Sequence, residues 1–239
     1  MKGTKVGASS SRWTVRATTT LCAAAAAFVA LTLGAMALYP GGSYSEPHSV
    51  GYRFFGNFFS DLGQTYVMYG HVDKPNTASC VLFVLAMAAI SASLAWAAWP
   101  IGSAVSGGRS VGSLLIGVFG TVAAVGFLGV AVNPWNLRYS LHMLFVKIAF
   151  GALFGFMAGV AIEQVRHRWP TRDVVVGAAY AVALCAYFVN LQVAKLDSVR
   201  AVMTQSVLQK VIVFLSILCL SLIAWAVRAR ALDDERVSS

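Results

Sequence analysis

Few residues in this chain can do chemistry, and those that can gather at one edge of its apolar segments. The densest group is Gly56-Asn57-Phe58-Phe59-Ser60-Asp61-Leu62-Gly63-Gln64-Thr65, where hydrogen-bonding side chains are embedded among aromatics. A carboxylate beside that much apolar surface needs partners, because an unpaired one is costly to desolvate. Two roles are open to it. Ser60 and Asp61 can cap a short helix that Gly63 ends. Alternatively, Asp61 is the anionic member of a polar site that includes Asn57 and Ser60. Lys147 is the next anomaly, lying roughly 9 Å inside the fourth apolar segment at 1.5 Å per residue. Such a cation turns to the bundle interior and a partner, or snorkels to the headgroups. His142 lies on the same segment about 140° around the helix from Lys147, so the two need not share a partner. Gln205 and Gln209 share a face where the last segment opens, and Lys210 follows them. Asn190 and Gln192 close the fifth segment on that same side.

These groups come from separate segments yet lie at one depth, the outer third of a membrane. A polar pocket there suits a lipid headgroup, an ion or a small amphiphile. The same groups can instead act as glue between helices, each hydrogen bond worth about 0.6 kcal/mol. A metal-dependent hydrolase is a further reading, since zinc takes three or four ligands. Asp61, His71 and His142 form a minimal set, although no HxxxH or HxxE spacing joins them. No cofactor is expected, because the chain has no GxSxG, Walker A or GxGxxG element. Cys22, Cys80, Cys185 and Cys219 fall in or beside apolar stretches without CxxC spacing and read as small packed hydrophobes.

Helices in a bilayer must position these residues. Of 239 residues, 58% are hydrophobic and 11% are charged, against about 25% charged in a soluble domain. A mean hydropathy of +0.72 agrees. A globular enzyme with a water-facing surface is excluded. Six apolar segments, each near the roughly 20 residues that span a hydrocarbon core, cover about Thr18–Tyr39, Ser79–Trp99, Val111–Val132, Leu141–Glu163, Val174–Leu191 and Val207–Val227. The fold class is therefore all-α, a six-span bundle over 18–229, with a basic leader at 1–17 and a tail at 230–239. A Gly/Ser hinge is expected from Pro100 to Ser110. The one long loop, 40–78, carries Phe54, Phe55, Phe58, Phe59 and Leu62 at helical spacing. They predict a short amphipathic helix on the outer leaflet, or a re-entrant element packed against the bundle. Gly151, Gly155 and Gly159 form two GxxxG steps for close helix packing, expected within this bundle.

The net charge of +9 sets orientation and does not imply nucleic acid. Eleven of the 18 cations fall on the side of the two termini and five on the loop side, leaving Lys147 and Lys210 within spans. Positive residues collect in cytoplasmic loops, so both termini are expected in the cytoplasm of a bacterial-type plasma membrane. Trp96, Trp99, Trp169 and Trp225 lie near the same boundary, as an aromatic belt would. The basic start, apolar run and Ala35-Met36-Ala37 have the outline of a cleavable signal. The run is long enough to span, so we expect it to remain as the first helix.

The order of features resembles the six-helix bacterial and archaeal membrane proteins grouped as domain of unknown function 998. Asn57-Phe-Phe-Ser-Asp-Leu-Gly63 precedes the second span, Asn76 lies just before it, His142 follows Asn133-Pro134, and Gln209-Lys210 opens the last span. In that family an SDLG or SELG motif follows the first span, a His starts a later one, and a Gln-Arg or Gln-Lys pair opens the last. The resemblance covers about residues 18–229, implies six spans and no established activity, and picks out Ser60, Asp61, His142, Gln209 and Lys210. Gln-Lys in place of Gln-Arg weakens any bidentate anion binding. A more remote similarity is to alkaline-ceramidase-type hydrolases, which set Ser, Asp and three His around zinc in seven helices; here one span and a C-terminal His pair are lacking. The reading at this level is a membrane protein that binds or moves a lipid-like or small amphiphilic ligand at an outer site of Asn57, Ser60, Asp61, His142, Lys147, Gln209 and Lys210. Its partners are the bilayer and that ligand. A metal-dependent hydrolase and a structural subunit of a membrane complex are the alternatives.

Overall fold

Runs of Ala, Val, Leu, Ile and Phe without charge leave the backbone no partner in lipid except itself, which is why these segments are helical. The computed structural model describes residues 8–69 and 74–238. It contains α1 (Ala8–Ala37), α2 (Thr77–Val105), α3 (Val111–Val132), α4 (Trp135–Arg166), α5 (Thr171–Val193) and α6 (Val199–Ser238). All six are long and apolar enough to cross a membrane. Each packs on the next in chain order, and α6 returns to α1, which closes a ring. With six spans both termini lie at one end, the terminus end, and the 40–78 loop lies at the other, the loop end. At the terminus end, Ser11 Oγ donates to the Ala231 carbonyl at 2.7 Å and Arg228 Nε donates to Thr19 Oγ1 at 3.0 Å.

The helices outrun the predicted spans at most ends, and α3 matches its segment. The expected Pro100–Ser110 hinge is shorter than the sequence suggests: α2 continues through Pro100 to Val105. A proline removes one ladder bond, which a membrane helix tolerates when neighbours pack around it. The turn that remains uses Gly107 and Gly108 at φ +64° and +134°. Ser110 then caps α3, accepting from the Ser113 amide at 3.1 Å while its own amide donates to Ser113 Oγ at 2.8 Å. Helix α4 starts earlier than Leu141, at Trp135, and breaks at Arg138 (φ −140°, ψ 60°) before continuing. That break separates a loop-facing turn from the membrane helix, which matters for the site below.

Packing sorts the glycines and aromatics. The closest backbone approach of α3 to α4 is at Gly126, where a Cβ would lie 2.7 Å from the Ala149 Cα and amide nitrogen. The GxxxG positions act within the bundle but not as one seam. Gly155 receives the Phe119 ring and Gly159 receives Ile116, both from α3, whereas Gly151 faces Phe188 of α5. Trp96, Trp99 and Trp225 are exposed toward lipid, as a belt requires, while Trp169 is buried under the Arg230 guanidinium, 3.7 Å from its ring centroid. Cys219 is buried as expected; Cys185 is exposed on the outside of α5, and all four thiols are free.

Gly126→Ala therefore forces backbone apart, whereas Gly151→Ala meets only ordinary contact at 3.6 Å. Thermal unfolding in detergent should show Gly126→Ala destabilised by about 1–3 kcal/mol and Gly151→Ala unchanged.

Candidate functional site

The loop end is organised by a 3-10 helix, Phe59–Gly63, that enters the ring and touches α1, α2, α4 and α6. The short helix expected in the loop is this element, and it packs against the bundle rather than lying on the leaflet. The predicted aromatic stripe is accordingly divided: Phe59 and Leu62 are buried in the core, while Phe54 and Phe55 stay exposed. Phe59 sits among Phe28, Phe83 and Phe214, with ring centroids 5.8–6.1 Å away. Gly63 is needed because a Cβ there would stand 2.7 Å from the Phe83 ring. Asn76, just before α2, ties the segment down by donating to the carbonyls of Leu62 at 3.1 Å and Gln64 at 2.9 Å. A two-stranded antiparallel ribbon, β1 (Tyr66–Val67) and β2 (Lys74–Pro75), completes the loop.

Asp61 is fully buried, and its carboxylate is surrounded by donors. Asn57 Nδ2 and the Phe58 amide donate to Oδ2 at 3.0 and 2.9 Å, and Gln64 Nε2 and Trp135 Nε1 donate to Oδ1 at 2.9 and 3.0 Å. The Tyr69 hydroxyl adds a fifth donor at 3.3 Å. Burial pushes the carboxyl above its usual range, and the Asn57, Phe58, Trp135 and Gln64 hydrogen bonds oppose that shift. Five donors and no acceptor around a carboxyl define a site for the ionised form. Of the two roles open to Asp61, the geometry is that of the cap: its side chain holds the amide of Phe58, the residue just before the 3-10 helix. With its acceptor capacity filled, Asp61 has nothing left for a ligand.

Lys210 of α6 is 1% exposed and is not in ion-pair contact with any carboxylate among the described residues. Its ammonium donates to the Asn57 carbonyl and to the Ser206 carbonyl, the latter at 2.9 Å. It also lies over the Tyr52 and Phe54 rings, 5.6 and 5.2 Å from their centroids. Asn57 is thus the link: its Nδ2 serves the anion and its carbonyl serves the cation. Its Nδ2 also reaches the Gly42 carbonyl at 2.8 Å, and its Oδ1 accepts from the Arg53 amide at 2.9 Å. Anion and cation are joined through one amide residue. The whole set pins the loop to α6.

On the other side of the 3-10 helix the ring is hollow. A narrow chamber of about 60 Å³ lies between α1, α2, α3, α4 and α6, walled by side chains such as Phe83, Phe127, Phe150 and Leu153. A vestibule of about 300 Å³ lies between α4, α5, α6 and the loop. The two adjoin at four shared residues: Ser60, His142, Val146 and Gln209. His142 Nδ1 is held by the Asn133 carbonyl at the end of α3, 2.8 Å away. A carbonyl can only accept, so Nδ1 carries the proton in the neutral ring and Nε2 is its acceptor nitrogen. Gln209 Oε1 accepts from the Phe59 amide at 2.7 Å, which leaves its Nε2 as a donor.

Three of the residues expected in an outer polar site therefore meet at one cavity: Ser60, His142 and Gln209. Asn57, Asp61 and Lys210 form a hydrogen-bonded network behind it and do not line it. Lys147 joins neither, because it is exposed on the outside of α4; its turn of helix puts Val146 inward and leaves the ammonium free to snorkel. Of the three residues considered for a metal, His71 lies outside the described residues, and Asp61 is already saturated. Among the described residues no three His, Cys, Asp or Glu side chains stand close enough to hold an ion. Residues that the sequence reading did not place are Gln64, Tyr69 and Trp135 around Asp61, and Asn133 behind His142. The Asn133-Pro134-Trp135-Asn136 run was the available signal: polar and aromatic groups at the loop-end start of a span need partners there. Asn136 finds one in Thr65, donating to its Oγ1 at 3.1 Å.

Fold and site together define the class, a six-span helical membrane protein with an internal cavity open toward the loop end. The chain matches no protein-family model, no curated protein and no solved structure.

Asp61→Asn puts an NH₂ among donors and should cost about 3–5 kcal/mol, as removing one side of a buried charged network does. Lys147→Leu should stay within about 0.5 kcal/mol of the parent. Denaturant unfolding in detergent compares the two.

Proposed function

We propose that this protein binds, and through binding can move, a lipid-like or small amphiphilic ligand from the outer leaflet. The observation that carries the reading is the junction of an apolar chamber with a vestibule at Ser60, His142, Val146 and Gln209. An apolar pocket with a few convergent polar groups is the usual form of a small-molecule site, and here its two halves suit the two halves of an amphiphile. The basic residues at the terminus end support a cytoplasmic location for both termini in a bacterial-type plasma membrane, which makes the vestibule face outward. Membership of the six-span family named above is part of the same proposal. It is supported by the way Ser60, Asp61, Leu62 and Gly63 each have a distinct task in the 3-10 helix.

Val146→Trp places an indole where chamber and vestibule adjoin. Native mass spectrometry of the purified parent should show a retained amphiphile, and the Val146→Trp protein should lose it while keeping its elution volume and unfolding temperature. A parent that carries no amphiphile, and binds no added fluorescent fatty-acyl probe, would overturn the reading.

A further inference from the structure

Amphiphiles differ in charge, and the cavity discriminates among them. Among the described residues no Lys, Arg, Asp or Glu lines either the chamber or the vestibule. The two charges nearest in sequence, Asp61 and Lys210, are turned away and spent within the loop network. A phosphate or carboxylate headgroup would enter a low-dielectric site without a counter-charge, which is costly. The polar atoms left at the junction are a matched set. His142 Nε2 can only accept in the neutral ring, because Nδ1–H is held by the Asn133 carbonyl. Gln209 Nε2 can only donate, and its orientation is fixed because Oε1 must face the Phe59 amide. Ser60 Oγ can do either. A hydroxyl donates once and accepts once and so complements this pair, whereas a carboxylate or phosphodiester has no proton for His142. The chamber beyond is narrow, about 60 Å³, and leaves no room for a second chain.

We infer that the ligand is an uncharged, single-chain amphiphile with a hydroxyl headgroup, such as a monoacylglycerol or a long-chain alcohol. Its hydroxyl meets His142, Gln209 and Ser60, and its chain lies in the chamber between α2, α4 and α6. This rests on the amphiphile-binding reading above and adds the class of ligand.

The test is competition against a photoactivatable monoacylglycerol on the purified full-length protein in nanodiscs. The competitors are monopalmitoylglycerol, hexadecanol, palmitate, palmitoyl-lysophosphatidylglycerol and palmitoyl-lysophosphatidylcholine. Monopalmitoylglycerol should compete about tenfold or more better than either anionic lipid, a difference near 1.4 kcal/mol. Equal competition by hexadecanol supports a single hydroxyl as the recognised group; weaker competition supports the glycerol. Ser60→Ala removes one hydroxyl without adding charge, so it should fold and weaken monoacylglycerol binding several-fold, while Gln209→Met removes the fixed donor and should lose about tenfold, with the unfolding temperature of each variant read in parallel. Anionic lipids, or the choline lipid, competing as well as the neutral ones would overturn this inference and leave amphiphile binding standing. Labelling that no compound displaces would overturn both.

Discussion

A carboxylate buried without a counter-ion in direct contact sets the terms for the loop end of this protein. Desolvating Asp61 costs more than the marginal stability of an ordinary domain unless donors replace the lost water. The chain supplies five, drawn from the loop itself and from the start of α4. Because each donor must arrive at a fixed place, satisfying one anion fixes the path of the loop, the entry turn of α4 and, through Asn57 and Lys210, the register of α6. The cavity exists because these elements cannot collapse further into the ring.

The break at Arg138 lies between two groups that the loop end uses. Trp135 and His142 are seven residues apart on one side of α4 and both line the vestibule, Trp135 also donating to Asp61. The break separates a first turn that meets the loop from the rest of α4, and the Asn133 carbonyl, at the end of α3, is left for His142 Nδ1. The charged network and the cavity-lining groups sit back to back, with the 3-10 helix as the wall between them. Neighbours in sequence fall on opposite sides: Asp61 is sealed and Ser60 lines the cavity, as Lys210 is sealed and Gln209 lines it. Adjacent positions of a helix point about 100° apart, so a motif written as one string can carry two separate roles.

The terminus end follows different physics. Glu163 of α4 is buried but paired, with Arg166 at 2.8 Å and His167 at 3.5 Å. Arg230 covers Trp169, and Arg172 lies 5.7 Å from the Trp225 ring centroid. Here charge meets charge or an aromatic face close to the aqueous boundary, as expected where cations collect. The loop end, poor in cations, solves the same problem with neutral donors.

The sequence by itself determined the six spans, their order and the even count that puts both termini together, because hydropathy over some 20 residues is a local property that lipid enforces without reference to neighbours. It also located the polar residues at one depth, since depth along a helix is counted in residues. What it left open is direction around each helix axis and the path of a loop with few regular hydrogen bonds. Lys147 and Val146 are adjacent, and only packing decided that valine faces in and lysine out. Asp61 carries the same local signal whether it caps a turn or greets a ligand. The tertiary structure chose the cap, because Gln64, Tyr69 and Trp135 converge on it from positions whose closeness no spacing rule records.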